Sequence, residues 1–294
     1  MKLKAVFYAI LAAVLYAINM PFSKLLLNNI PSTMLAGFLY LGAGIGIGIM
    51  FLFRRKSFCR DEMLTKQDLP YTIGMIVLDI LAPILLMYGL EHTTSATASL
   101  LNNFEIVATA LIALLVFKEF VSKRLWLAIA CVTLSSIILS VEDFSSLKLS
   151  WGSVFVLLAA ICWGFENNLT RSISSKNTYE IVMLKGIFSG LGSLVIALIL
   201  GERVSSLLYI VFALILGFFA YGLSIFFYIR AQKELGAAKT SAYYAIAPFV
   251  GAFLSFIFLK ETLTVRYVIA LIIMLAGSLL TTSDTLKHSN TDDC

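Results

Sequence analysis

The sequence predicts an all-α membrane protein: ten transmembrane helices forming two inverted five-helix repeats, with the N and C termini cytoplasmic. Composition is the first observation behind this. Of 294 residues, 60% are hydrophobic and 13% charged, where a soluble domain carries roughly 25% charged residues. A mean hydropathy of +0.94 agrees. So few charges cannot cover a soluble globule of this length. The second observation is recurrence. Ten apolar stretches reach or approach the ~20 residues that cross a hydrocarbon core of about 30 Å. The third is the distribution of Lys and Arg, which collect in alternate connections.

In chain order the stretches are 4–28, 32–53, 69–90, 94–117, 122–141, 151–172, 178–200, 205–229, 236–259 and 263–283. Span 1 follows two lysines and has the outline of a secretory leader, but nine similar runs follow it, so it reads as a membrane span. Span 2 contains "GAGIGIG", placing Gly42/Gly46 and Gly44/Gly48 at a spacing that lets helices approach closely. Its expected role is packing between helices, with a dimer face as the alternative. Span 3 carries Asp79 ahead of Pro83, whose ring frees a carbonyl and favours a bend. Span 4 contains "SLLNNFEIVATALIALLVF", an apolar run interrupted by Asn102, Asn103 and Glu105. Span 6 carries Trp163, Glu166, Asn167 and Thr170, at helical i, i+3, i+4 and i+7 spacing. Span 7 holds Lys185, expected to snorkel or to pair with an acid, with Gly186, Gly190 and Gly192. Span 9 carries Ser241, Tyr244 and Pro248. Barrel strands would alternate and run only about 10 residues, so strands are not expected. The polar tail 285–294 reads as disordered.

With the N-terminus inside, 16 of the 22 Lys and Arg fall on the cytoplasmic side and 5 outside, with Lys185 within span 7. These charges lie in short loops, so they report orientation rather than a nucleic-acid partner. The cysteines Cys59, Cys131, Cys162 and Cys294 are scattered and suggest neither a disulfide framework nor a metal site. His92 and His288 are the only histidines. No nucleophile–base pair accompanies Ser189 or Ser224, so an intramembrane enzyme is a remote reading. A membrane sensor is another, with little loop to signal through. There is no phosphate-binding glycine loop, so no ATPase is expected in the chain. No cofactor is expected, and proton coupling is left open.

Residues 1–143 and 144–284 repeat one another. "AAVLYAINMPFSK" in span 1 aligns with "AAICWGFENNLTR" in span 6, pairing Tyr16 with Trp163, Asn19 with Glu166 and Ser23 with Thr170. Span 4 ends at Lys118-Glu119 and span 9 at Lys260-Glu261, a register that pairs Ser99 with Ser241. Five spans is an odd number, so the second copy lies upside down in the membrane. Inverted repeats are characteristic of secondary transporters.

These features together resemble the drug/metabolite transporter superfamily, and within it the EamA-type transporters. They are the duplicated five-span unit, the pairs Tyr16-Ala17 and Trp163-Gly164, "TSATASLL…LVFKE" and "GAAKTSAYYAIAPFVGAFLSFIFLKE". Pro248, thirteen residues before Glu261, fits the family pattern; its counterpart Ile106 departs from it. The resemblance implies alternating access around a central cavity lined mainly by spans 1, 3, 4, 6, 8 and 9.

Ionisable residues at bilayer depth are candidate functional groups. In span 4, Ser95, Ser99, Asn102, Glu105 and Thr109 share one helical face spanning about 120°, with Asn103 off it. The expected substrate-binding residues are Glu105, Glu166, Asn102, Asn19, Tyr16, Trp163, Asn167, Tyr244, Ser99 and Asp79. The acids are candidates to carry a proton or bind an amine, and aromatic neighbours suit a cation. The competing reading is hydrogen bonding between helices. Glu119 and Glu261, at helix ends, read as packing or loop contacts, with the locking of one conformation as the alternative. The expected function is secondary active transport of a small polar metabolite, amino-acid or amine-like, across the cytoplasmic membrane, in the direction of export. Uptake of an organic cation or another small nutrient is the alternative. Expected partners are the substrate and the bilayer, with the chain a monomer or homodimer and no nucleic acid bound. The mate of Glu105 is Ala247 and the mate of Glu166 is Asn19, so the site is expected where the repeat symmetry breaks.

Overall fold

A computed structural model of the chain describes residues 2–54, 63–117, 123–143, 148–204, 206–235, 240 and 243–291. Among the described residues, seven helical stretches are long and apolar enough to cross a membrane: Leu3–Leu26, Ser32–Arg54, Lys66–Glu91, Lys123–Ser140, Trp151–Ile173, Thr178–Ile199 and Leu207–Ala231. Ala247–Leu259 and Val265–Leu280 are shorter apolar helices. Large apolar side chains such as Phe53, Leu198 and Ile272 face outward, as a lipid-facing surface requires.

In chain order the helices are α1 (Lys2–Ala17), α2 (Asn19–Leu26), α3 (Ser32–Arg54), α4 (Leu69–Glu91), α5 (Ser95–Leu101), α6 (Phe104–Phe117), α7 (Lys123–Ser140), α8 (Trp151–Ile173), α9 (Thr178–Ile199), α10 (Leu207–Gly217), α11 (Ser224–Leu235), α12 (Ala247–Leu259) and α13 (Val265–Thr291). Two departures from expectation stand out. A small antiparallel hairpin, β1 (Val141–Asp143) with β2 (Lys148–Leu149), links the two halves, so the chain is not wholly helical. The backbone of α13 also stays helical to Thr291, within the stretch predicted to be disordered.

The breaks have local causes. Pro21 has no N–H to offer the Ala17 carbonyl, and the first span divides at Ile18 into α1 and α2. Pro248 stands in the first turn of α12 and frees the Tyr244 carbonyl in the same way. Span 4 breaks without a proline. At Asn102–Asn103 the backbone tightens into i→i+3 bonds, Glu105 N–H to Asn102 O at 3.1 Å and Ile106 N–H to Asn103 O at 3.1 Å. The Asn103 side chain donates instead to Ser278 Oγ, 2.8 Å away on α13. In span 8 a π-helical turn, Phe218–Leu223, separates α10 from α11. Pro83 leaves α4 unbroken.

Glycines set the central crossing of α3 and α9. A Cβ on Gly44 would lie 2.4 Å from Ile187 N, and one on Gly190 2.6 Å from Leu41 N. The span-2 glycines are all used inside the chain: Gly42 meets Leu214, Gly46 meets Phe218 and Gly48 meets Met183. Ascending α3 from Gly37 to Gly48 descends α9 from Leu194 to Met183, so the two helices run antiparallel. The α7–α13 pair does likewise. Arg266 Nε donates to Ile138 O at 2.6 Å, Ser135 Oγ to Ala270 O at 2.7 Å, and Gly277 packs on Cys131 and Val132.

Candidate functional site

The breaks of spans 1, 4 and 9 converge, and polar side chains gather around them. Asn102 donates through Nδ2 to Tyr16 Oη at 3.1 Å. The Tyr16 ring lies 5.9 Å from that of Tyr221 and 6.0 Å from that of Tyr244. Tyr16, Ala17, Met20, Ser99, Asn102, Ala247, Pro248 and Gly251 enclose a small cavity of about 10 Å³, room for about one water. Two atoms on its wall, Ser99 Oγ and Asn102 Oδ1, are buried and have no hydrogen-bond partner. Buried polar atoms are normally satisfied, so these two are open to a ligand.

Beside this cavity, Asn167 Nδ2 donates to Glu105 Oε1 at 2.6 Å and to Thr109 Oγ1 at 3.4 Å, tying α8 to α6. A third group lies between α4, α8 and α9. Lys185 Nζ sits 3.0 Å from Asp79 Oδ2 and 2.9 Å from Glu166 Oε1. Tyr40 donates to Asp79 Oδ1 at 2.9 Å, Trp163 Nε1 donates to Tyr40 at 3.4 Å, and Thr170 donates to Glu166. Asn19 Nδ2 donates to Tyr221 Oη at 3.0 Å and accepts from Ser23 at 2.9 Å.

The expected site residues therefore fall into connected groups rather than one cavity wall. Tyr16, Ser99 and Asn102 line the small cavity, and Tyr244 reaches Tyr16 by its ring. Glu105 and Asn167 form one adjoining pair. Glu166 and Asp79 are held by Lys185, with Trp163 reaching Asp79 only through Tyr40. Asn19 faces Tyr221. Ser241, Lys118 and Glu119 lie outside the described residues. Sequence reasoning missed Tyr40 and Tyr221 as members of the network and left Lys185 undecided. One signal was available: at the register that pairs Ser99 with Ser241, Asp79 pairs with Tyr221.

Toward one end of the molecule lies a wide vestibule of about 510 Å³, with Thr97, Lys260, Glu261, Arg266 and Tyr267 among its lining residues. Below it the helices are clasped. The Glu261 carboxylate accepts the backbone N–H groups of Ser95 at 2.7 Å and Ala96 at 2.9 Å, at the start of α5. Lys24, on α2, donates to the carbonyls of Leu90, Glu91 and Thr93 at 2.5, 3.0 and 2.8 Å, where α4 ends. Ser255 on α12 donates to Ser95 at 2.8 Å.

The profile of the EamA-like transporter family matches residues 3–141 and again 150–283. An uncharacterized transporter of Methanothermobacter thermautotrophicus is 26% identical over 286 residues, covering 91% of this chain and 83% of its own. The uncharacterized transporter YyaM of Bacillus subtilis is 24% identical over 212 residues, 69% of each chain. A solved crystal structure superposes with a TM-score of 0.69 at 14% identity, over 96% of this chain and 97% of the other; that likeness concerns the fold alone.

Proposed function

Because the chain belongs to the EamA-like transporter family, we propose that it is a secondary transporter exporting a small polar metabolite, amino-acid or amine-like, across the cytoplasmic membrane by alternating access. The observation that carries the substrate site is the pair of unpartnered buried atoms, Ser99 Oγ and Asn102 Oδ1, on a cavity walled by Tyr16. They offer hydrogen bonds to a polar ligand. Tyr16 and Tyr244 offer ring faces to an alkylammonium, and Glu105, one helical turn from Asn102, offers a counter-charge. The cavity is too small for a metabolite as it stands, which fits a closed state that widens when the half-helices part.

The ten-span inverted arrangement draws support from packing. The family profile matches the two halves in turn. The equivalent helices α3 and α9 cross antiparallel, as do α7 and α13, which is what inversion across the membrane produces. Non-equivalent pairs are exchanged by the repeat: α4 packs on α8 as α11 packs on α1, and α6 on α8 as α12 on α1. The match extends to residues. Gly251 approaches Ala17 O, and Gly164, the mate of Ala17, approaches Thr109, the mate of Gly251. With the Lys and Arg excess inside, the vestibule bearing Lys260 and Arg266 opens to the outside.

The test is a ligand screen followed by flux. Purified protein is screened by thermal shift against amino acids, amines and sugars, and the best ligand is followed in proteoliposomes. Saturable flux with counter-exchange is expected. Asn102→Ala and Glu105→Gln should each reduce kcat/KM by roughly tenfold or more, since a hydrogen bond to a charged group contributes about 1.5–3 kcal/mol. Normal transport by both variants across pH 5 to 8 would remove this site from the mechanism.

A further inference from the structure

The small cavity leaves the acidic residues of α4 and α8 unused. Asp79 is 0% exposed, Glu166 2% and Lys185 7%. Two carboxylates thus share one ammonium, and a fully ionised triad would hold a net negative charge inside the protein. Such a charge is costly unless another cation completes it. Among the described residues, the remaining titratable groups facing the triad add no positive charge: Tyr40 on α3, Tyr221 on the π-helical turn, and Glu105 on α6 behind Asn167. Asp79 Oδ2 lies 3.0 Å from Lys185 Nζ and, among the described residues, has no other donor. That atom has room for a proton and little room for anything larger, because Lys185 already contacts both acids directly.

Repeat symmetry shows that the scaffold does not need these charges. Asn19 is the mate of Glu166, Tyr221 of Asp79 and Ser23 of Thr170. In the first set, Asn19 bonds Tyr221 directly and Ser23 bonds Asn19. In the second set, Thr170 bonds Glu166 in the same way, but an inserted lysine bridges the two acids. One crossing is closed by a neutral hydrogen bond and its twin by a titratable bridge.

We propose that the Asp79–Lys185–Glu166 triad is a proton-binding site, separate from the substrate pocket at Asn102 and Glu105, loaded and unloaded once per transport cycle. A proton from water binds Asp79 Oδ2 and leaves Lys185 paired with Glu166 alone, which loosens α4 from α9. Its departure to water on the other side restores the bridge among α4, α8 and α9. The role in a cycle rests on the transport reading; the proton binding itself does not.

Trp163 supplies a reporter, since it reaches Asp79 through Tyr40. The other two tryptophans, Trp126 and Trp151, are exposed and are replaced by Phe. In detergent, without substrate, the Trp163 fluorescence of this protein should titrate with pH as a single-proton transition. Asp79→Asn should abolish it. Glu166→Gln should move its midpoint at least tenfold in proton concentration, and Glu105→Gln should leave the transition present. A transition unchanged in Asp79→Asn and Glu166→Gln overturns the proposal. So does one lost in Glu105→Gln, or one that follows Na⁺ at fixed pH. If Asp79→Asn does not fold, infrared spectra of the wild type decide. A protonated-carboxyl C=O band that titrates with Trp163 supports the site, and its absence overturns it. Failure of the flux screen would defeat the transport reading and leave this titration standing.

Discussion

Remove the ammonium of Lys185 and two buried carboxylates lose the cation they share. Breaking a buried ion pair by deleting one partner costs about 3–5 kcal/mol, whereas replacing the whole set with neutral groups can be nearly free. Lys185→Met should therefore lower the thermal unfolding midpoint markedly. Adding Asp79→Asn and Glu166→Gln to the same chain should recover most of the loss. If Lys185→Met melts like the wild type, the lysine is not holding those charges. The sequence displayed each of these residues as an oddity in an apolar run, and the helical face of Ser99, Asn102, Glu105 and Thr109 was legible from spacing. Their pairing was not, because Asp79, Glu166 and Lys185 stand on three different helices. Tyr40 and Tyr221 were harder still, since a tyrosine in a membrane span is ordinarily packing. Only a contact with an acid or an amide sets these two apart.

Half-helices form the next scale. Apolar run length made the spans legible, and Pro21 and Pro248 mark where the first and ninth divide. The Asn102–Asn103 break was hidden because asparagine is permitted within a helix; it depends on Asn103 finding Ser278 on a distant segment. The outer pieces α2, α5 and α12 each abut a break at the central cavity, and two charges lock them together on the vestibule side. Lys24 binds the carbonyls at the C-terminal end of α4, and Glu261 binds the N–H groups at the start of α5, each sign suited to the helix end it meets. Lys260, at φ 52°, ends α12 in a left-handed turn just before Glu261. Non-glycine residues adopt that conformation at a cost of about 1–2 kcal/mol, so the Glu261 contact must offset it. On the proposed alternating-access reading, Glu261→Gln and Lys24→Met should each weaken the clasp and favour a form open to the vestibule. With a cysteine at Ser99, labelling by a membrane-impermeant thiol reagent should speed up severalfold in either variant. Unchanged labelling would mean that the clasp does not gate the cavity.

At the scale of the molecule, the family profile matches the two halves in turn, and the division of work proposed for them rests on their unequal charge. The repeat is read from the sequence as Tyr16-Ala17 against Trp163-Gly164 and as two Lys-Glu helix ends, and the antiparallel crossings of α3 with α9 and α7 with α13 support the inversion proposed for it. Inversion makes a firm demand on sidedness. In the proposed orientation the vestibule residues Thr97 and Thr262 face the outside, and the tail lies with the Lys- and Arg-rich loops on the inside. In a chain with Cys59, Cys131 and Cys162 replaced by Ser, Thr97→Cys and Thr262→Cys should react in intact cells with a membrane-impermeant maleimide. Cys294 should react only after the membrane is opened, and is replaced when the vestibule sites are read. Labelling of Cys294 in intact cells, with the vestibule cysteines protected, would reverse the orientation and turn the vestibule toward the cytoplasm. The clasp of Lys24 and Glu261 would then close the inner face, and the direction of export would have to be argued again from the opposite side.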